Sequence, residues 1–409
     1  MFKAKCLSYE YKYSKLWKKL LFTYSFLMAF PAVVFFGLNA SLFVFWGMLV
    51  FLWKNSRISI LGLSKFLQWV ALFFAFGALA SVFFMPEEQG DLAFQRALSV
   101  LPNYLYWSIL LIFLIQNRHL LDLNVIYSAI FWGVAFSVFY YLFLQSSLKL
   151  LPVFKKFTPN NFSFILICYT PLSVFYLKNR KGNIWALLYL LFVSLVLLQD
   201  GRRSGFVLVL AGGLAVLFLS KVSWRFVFSG GIALSILFVL YHSPLVENFI
   251  YNSSDRIYTF MYKTDEVFSS DPSYLIRVAM VKKGLAIYAK HPVSGIGLNN
   301  FTKYSIAFDR TFPGAKLVVF KRGIQHKSSH NSYINVLAEG GLLLFVPFVL
   351  ILLWCLLYFG FNYFSMPEAY RPPFIALTAM AVHLYFITAI VNVFAWFLIG
   401  LCCSLVYRR

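Results

Sequence analysis

The sequence predicts an all-α protein, a polytopic transmembrane helical bundle of about twelve spans with a large helical loop on one side. Hydrophobic residues make up 61% of the 409 residues and charged residues only 12%, whereas a soluble domain carries about 25% charged residues. Apolar runs long enough to cross a bilayer recur along the chain. One polar, basic stretch of nearly a hundred residues separates the last three of these runs from the others.

The apolar runs divide the chain into three predicted regions. Residues 1–241 form an N-terminal bundle of about nine spans, residues 242–340 a loop domain, and residues 341–409 the C-terminal helices. The predicted spans are 20–37, 38–53, 67–85, 100–116, 124–144, 162–177, 183–198, 205–220, 226–241, 341–360, 374–388 and 389–407.

The distribution of Lys and Arg beside short loops predicts the orientation, because such loops stay in the cytoplasm. A basic, uncleaved N-terminus and the C-terminal Arg408 and Arg409 are expected inside. The same side holds Lys54, Arg57, Lys65, Arg118, Lys178, Arg180, Lys181, Lys221, Arg225 and Arg371. The loop 145–161, the turn 199–204 and the long segment 242–340 then lie on the outer face.

The net charge of +22 points to an anionic ligand rather than to topology alone. Many cations lie in the outer segments, against the usual bias. No nucleic-acid-binding motif is present, so the chain predicts no nucleic acid partner. A polyanion bound at the outer face explains the charge; a merely solvated basic loop is the alternative.

Two helices are predicted inside the long outer segment. The first begins at Asp271-Pro272, a capping acceptor followed by proline at the first helical position, and stops at His291-Pro292 before the turn 295–297. Arg277, Val281, Gly284 and Tyr288 share one of its faces.

The second helix is expected to begin at Ser328 or Ser329, with His330 and Asn331 in its first turn, and to end at Gly340-Gly341. The positive end of the helix dipole would disfavour the imidazolium form of His330. The residue would then be neutral and able to accept a proton.

Three segments of the chain resemble the O-antigen ligase/polymerase superfamily. They are Arg203-Ser204-Gly205, the run from Arg277 through His291-Pro292 to Phe301, and the run 330–341, which begins His330-Asn331 and ends Glu339-Gly340-Gly341. The resemblance covers about residues 199–350. The first half of the chain is similar only in its pattern of spans.

The resemblance implies an inverting, metal-independent glycosyltransferase of the bacterial inner membrane, with its site facing the periplasm. The donor would be a glycan on undecaprenyl diphosphate and the acceptor lipid A-core oligosaccharide, with membrane lipids around both. Arg203 and Arg277 would bind the diphosphate, and His330 would activate the acceptor. The register of the first motif leaves Arg202 as an alternative to Arg203, and His326 competes with His330.

The chemistry of the donor suits these residue types. Guanidinium groups can grip phosphate oxygens bidentately, and a neutral imidazole can take a proton from a sugar hydroxyl. The outer segments contain no Asp-x-Asp pair, so neither a metal nor another cofactor is predicted. Predicted substrate-binding residues are Arg202, Asn331, Lys282, Lys283 and Arg322; for the loop lysines and Arg322, an exposed basic face is the alternative.

Other functions remain open at this point. A polymerase would pass the glycan to another lipid-linked unit, and a protein O-oligosaccharyltransferase would pass it to a protein. A transporter is disfavoured because ionisable residues are scarce within the predicted spans. The clearest exception is His383, which we expect to be a hydrogen-bonded core residue.

Overall fold

The computed structural model describes residues 2–35, 38–54, 65–86, 90–144, 154–199, 203–218, 272–305, 327–389 and 392–407. These residues form a helical bundle with one small β-hairpin. The helices are α1 (Phe2–Ala29), α2 (Ala40–Lys54), α3 (Phe66–Phe83), α4 (Asp91–Gln116), α5 (Leu123–Phe139), α6 (Pro159–Lys181), α7 (Asn183–Gln199), α8 (Arg203–Phe218), α9 (Pro272–Lys290), α10 (Ser332–Asn362), α11 (Arg371–Leu384) and α12 (Val393–Val406). Short 3-10 helices occupy Arg118–Leu120 and Glu368–Tyr370, and a π-helical turn, Tyr140–Leu144, extends α5.

All the predicted spans except 226–241 overlap with helices, and 226–241 lies outside the described residues. Within the described ranges, five helices are long and apolar enough to cross a membrane: Phe66–Phe83, Asp91–Gln116, Leu123–Leu144, Pro159–Lys181 and Ser332–Asn362. Shorter apolar helices lie at Ala40–Leu52, Asn183–Gln199, Ser204–Phe218 and Val393–Val406. The chain is therefore a multi-pass helical membrane protein.

The predicted first span is placed wrongly. Its helix, α1, ends at Ala29 instead of residue 37, and the antiparallel strands β1 (Val34–Phe35) and β2 (Leu38–Asn39) follow it. Pro31 explains the difference, because proline disfavours a helical conformation at the residue before it and donates no N–H of its own. Asn39 then accepts a hydrogen bond from the Ser41 backbone N–H, at 2.9 Å, in the first turn of α2.

Aromatic side chains form much of the core between the helices. Trp107 on α4 stacks on Trp396 on α12 with ring centroids 5.0 Å apart, and Tyr24 on α1 meets Phe397 edge to face at 5.4 Å. The backbones of α3 and α10 also approach each other closely. A Cβ atom at Gly77 on α3 would overlap the Leu343 carbonyl on α10. Small residues at helix crossings are typical of helices packed in lipid.

The long helix α10 is broken at Gly341, which has φ 58° and ψ −160°. The break confirms the predicted end of the loop helix at Gly340-Gly341. Residues 332–340 are therefore a separate helical segment that precedes the apolar segment 342–362.

Candidate functional site

The helix α9 carries the first predicted site residue. It begins at Pro272 and ends at Lys290, directly before His291-Pro292, as the sequence predicts. Asp271, the expected cap, lies outside the described residues. Arg277 is exposed on this helix, whereas Ala279 and Met280, two and three residues later, are buried.

The start of α10 corrects the predicted cap. Asn331, not Ser328 or Ser329, is the N-cap residue: its side-chain oxygen accepts a hydrogen bond from the Ile334 backbone N–H at 3.1 Å. His330 and Asn331 therefore precede the helix instead of forming its first turn. Ser329 stabilises the turn before α10, because its hydroxyl accepts a hydrogen bond from the Asn331 backbone N–H at 3.3 Å.

His330 adopts a backbone conformation that is uncommon for any residue but glycine. Its φ is 49°, in the left-handed region, where only a few per cent of non-glycine residues lie. Such a conformation costs about 1–3 kcal/mol and persists where the surroundings fix it. The buried residues on either side, Ser329 and Asn331, are both held by hydrogen bonds and supply that constraint.

The surroundings of His330 lower the pKa of its imidazole. Burial of the half-buried ring is the main cause, and the positive charges of Arg277 and Lys327 add to it. The neutral form is therefore favoured, as expected, although the cause is burial and nearby cations instead of a helix dipole. The charge of Arg277, another predicted catalytic residue, therefore acts on His330.

The segment 292–297 fills the break in α10. Where a helix is interrupted, backbone groups on both sides lose their partners. Here the N–H groups of Ile296 and Gly297 donate to the carbonyls of Ala338 and Glu339 at 3.1 and 3.0 Å. In return, Leu342 donates to the Pro292 carbonyl at 2.9 Å and Leu343 to the Val293 carbonyl at 3.2 Å.

Three glycines permit this close packing of α9, the turn and α10. A Cβ atom at Gly284 would overlap the Ile334 side chain, and one at Gly295 would overlap the Glu339 backbone. A Cβ atom at Gly341 would overlap the Val293 carbonyl. The second and third motifs, which carry Arg277 and His330, thus pack together through α9, the turn and α10.

Glu339 is buried and holds the turn after α9 against α10. Its carboxylate accepts a hydrogen bond from the Phe301 backbone N–H at 3.0 Å. The carboxylate thereby fixes the turn after Gly297 against α10.

Lys283, on α9, is a structural residue as well. Its side chain is fully buried, its ammonium group donates to the Phe301 carbonyl at 2.7 Å, and it lies 4.8 Å from the centre of the Phe301 ring. Burial lowers its pKa to about 8. This position argues against the predicted contact with an acceptor, and the buried cap Asn331 argues likewise against a contact with substrate. Lys282, by contrast, is exposed.

The other predicted site residues are only partly described. Arg203 is the first residue of α8, and its side chain lies outside the described part of the structure. Arg202, Arg322 and His326 lie outside the described residues altogether. In the ranges that the structure covers, no group of three His, Cys, Asp or Glu residues could hold a metal ion.

Residues 381–389, at and beyond the end of α11, are fastened to the His330 segment. The Ser329 hydroxyl lies 2.7 Å from that of Thr388, and the Ser332 hydroxyl donates to the Ile387 carbonyl at 2.7 Å. Two further hydrogen bonds run from the Ala389 N–H to the Ser332 hydroxyl, at 2.9 Å, and from the Tyr333 hydroxyl to the Ala381 carbonyl, at 2.9 Å.

His383 lies in the segment that these bonds hold. It is 2% exposed, and neither ring nitrogen has a hydrogen-bond partner among the described residues. The expected hydrogen-bonded core histidine is therefore not what this part of the structure contains. The positive charge of Arg277 acts on His383 as well as on His330.

A cavity of about 560 Å³ lies between α2, α4, α6 and the start of α12. Apolar and aromatic side chains line most of it, among them Phe45, Trp46 and Ile109. The exposed Lys155 and Lys156 lie at its wall. The Lys155 backbone N–H donates to the Ala32 carbonyl at 2.7 Å, which fixes this basic pair beside the α1–α2 connection.

The comparison with protein families identifies the segment that builds the site. Residues 187–349 match the O-antigen ligase family. This match supports the O-antigen ligase/polymerase superfamily for the segment. A search of curated proteins finds no match to the chain.

The matched segment runs from α7 through the first turns of the apolar part of α10, and it includes Arg203, Arg277, the turn 292–297 and His330. The predicted resemblance is thereby confirmed. The family match indicates an enzyme of the glycosyltransferase type, in the ligase or polymerase group. His383 lies beyond the matched residues.

Proposed function

We propose that this protein transfers a glycan from undecaprenyl diphosphate to lipid A-core oligosaccharide at the periplasmic face of the bacterial inner membrane. The observation that carries the proposal is a half-buried His330 whose imidazole pKa is lowered by burial and by the charge of Arg277, within a segment that matches the O-antigen ligase family. An anion-binding group and a neutral base are the two functions that such a transfer requires.

Arg277 would hold the donor, together with Arg203 or Arg202. A guanidinium group can bind two phosphate oxygens at once and stays charged at any physiological pH. Its interaction strengthens as negative charge develops on the departing diphosphate. Removal of one such preorganised donor typically costs about 10²–10³ in rate.

His330 would act as the general base. A hydroxyl of the acceptor attacks the anomeric carbon, and its proton passes to a ring nitrogen of neutral His330. The bond between the anomeric carbon and the diphosphate oxygen breaks, and its electron pair leaves with the lipid diphosphate. Attack opposite the leaving group inverts the anomeric configuration. The exchange needs no metal or other cofactor, since cationic side chains can take the charge of the leaving group.

The cavity between α2, α4, α6 and α12 suits the lipid part of a substrate. Its volume of about 560 Å³ is in the range of about 300–1,000 Å³ found for ligand sites. It combines an apolar wall with two lysines, a pattern that fits an amphiphile with an anionic head. The loop lysine Lys282 is exposed and remains a candidate for attracting a phosphorylated acceptor.

A deletion strain examined by lipopolysaccharide gel tests the proposal and separates it from its nearest alternative. A ligase predicts loss of all core-attached glycan while lipid-linked polymer accumulates. Core bearing a single repeat unit would identify a polymerase instead. An unchanged lipopolysaccharide would refute both and would leave transfer to a protein acceptor to be examined.

A further inference from the structure

The burial of His383 is energetically unfavourable. A buried polar group without a hydrogen-bond partner is destabilising, and such groups are rare in folded proteins. This ring is almost fully buried, and within the described residues both of its nitrogens lack a partner. Its near neighbour Phe164, with ring centroids 5.8 Å apart, offers no partner atom for either nitrogen.

The position of His383 is tied to the proposed site. Four hydrogen bonds fasten residues 381–389 to residues 329–333, the segment that carries His330. Arg277 interacts electrostatically with both histidines. The base and the buried imidazole are therefore carried by two segments that are hydrogen-bonded together, and the charge of Arg277 acts on both.

We propose that His383 is a third substrate-contacting residue, whose imidazole N–H donates a hydrogen bond to the anionic diphosphate that Arg277 binds. This inference rests on the proposed function. A neutral imidazole has one donor and one acceptor nitrogen, and hydrogen bonds to an anion are the stronger kind, particularly away from water. Bound substrate would then satisfy a group that has no partner among the described residues.

The test compares His383→Leu and His383→Met, which remove the donor, with His383→Gln, which keeps an N–H. Each is purified in lipid nanodiscs and titrated with undecaprenyl diphosphate carrying no glycan. We expect Leu and Met to weaken binding by about tenfold or more, as loss of a hydrogen bond to a charged group does. Gln should bind within a few-fold of the wild type. Transfer by the Leu variant should fall by about 10².

Two reference variants separate the possible outcomes. Arg277→Ala should lose binding, and His330→Ala should keep it. Wild-type binding by folded His383→Leu, with loss in Arg277→Ala, would overturn the role of His383 alone. Failure of both Leu and Met to fold, with Gln unaffected, would overturn it as well, because it marks a structural residue. Normal binding by Arg277→Ala, or none by the wild type, would instead contradict the proposed function.

Discussion

The backbone of Glu339 lies so close to Gly295 that a Cβ atom at Gly295 would overlap the Glu339 carbonyl. Gly295 also has φ 69°, a conformation that favours glycine. Through this contact the turn after α9 fills the break in α10, and the unit that carries Arg277 is joined to the segment that carries His330.

Gly295→Ala should therefore destabilise the protein. The substitution combines a left-handed backbone with a backbone overlap, so we expect a loss of more than about 1 kcal/mol. Thermal unfolding in detergent measures it. Gly360→Ala is the matched control: Gly360 is helical and has open space around it, so alanine there should be neutral or stabilising by about 0.5–1 kcal/mol. Equal stability of the two variants would argue against the proposed packing.

The transfer rate should fall at low pH as His330 becomes protonated, and this acid limb of the pH profile reports the pKa of His330. Burial and nearby cations lower its pKa, so the neutral base should persist below the usual histidine pKa of about 6.5. Lys327→Gln removes one of those cations, which should raise the pKa and move the acid limb to higher pH. Initial rates measured from pH 4.5 to 8 give the shift. A movement to lower pH would contradict the assigned electrostatics.

Lys283 and Lys282 provide a matched pair of adjacent lysines. Lys283→Met removes a buried ammonium that donates to the Phe301 carbonyl, and we expect a loss of about 1–3 kcal/mol of stability. Lys282→Met, at an exposed position, should leave stability within about 0.5 kcal/mol. Parallel unfolding curves of the two variants decide between a structural Lys283 and a surface contact for the acceptor.

Asn331 should be replaceable by another capping residue. Asn331→Ser keeps a side-chain acceptor for the Ile334 N–H and should retain both stability and transfer, whereas Asn331→Ala should lose about 1 kcal/mol. Unfolding midpoints and transfer rates of the two variants are compared. Inactive, fully stable Asn331→Ser would indicate a direct substrate contact after all.

The fold was predictable from sequence where a single strong pattern decides it. Apolar runs gave the helices, and Pro272 and His291-Pro292 gave the bounds of α9. The end of α1 could not be predicted from hydropathy, because residues 30–37 are as apolar as the helix although Pro31 ends it. Propensity alone could not choose among Ser328, Ser329 and Asn331 as the cap of α10, since all three are good capping residues.

Site residues were less predictable because their roles depend on burial. The sequence around the adjacent residues Lys282 and Lys283 does not indicate which of the two ammonium groups is buried. His383 was visible as an ionisable residue in an apolar run. Its lack of a hydrogen-bond partner among the described residues and its electrostatic interaction with Arg277 depend on segments far apart in sequence, so only the structure could provide them.

The most direct measurement is transfer by purified His330→Ala, compared with the wild type and with Arg277→Ala, from a glycan on undecaprenyl diphosphate to lipid A-core. We predict that His330→Ala binds the lipid diphosphate as the wild type does but transfers about 10²–10⁴ times more slowly. Arg277→Ala should be impaired in binding the lipid diphosphate and in transfer. Transfer by His330→Ala at the wild-type rate would contradict the account.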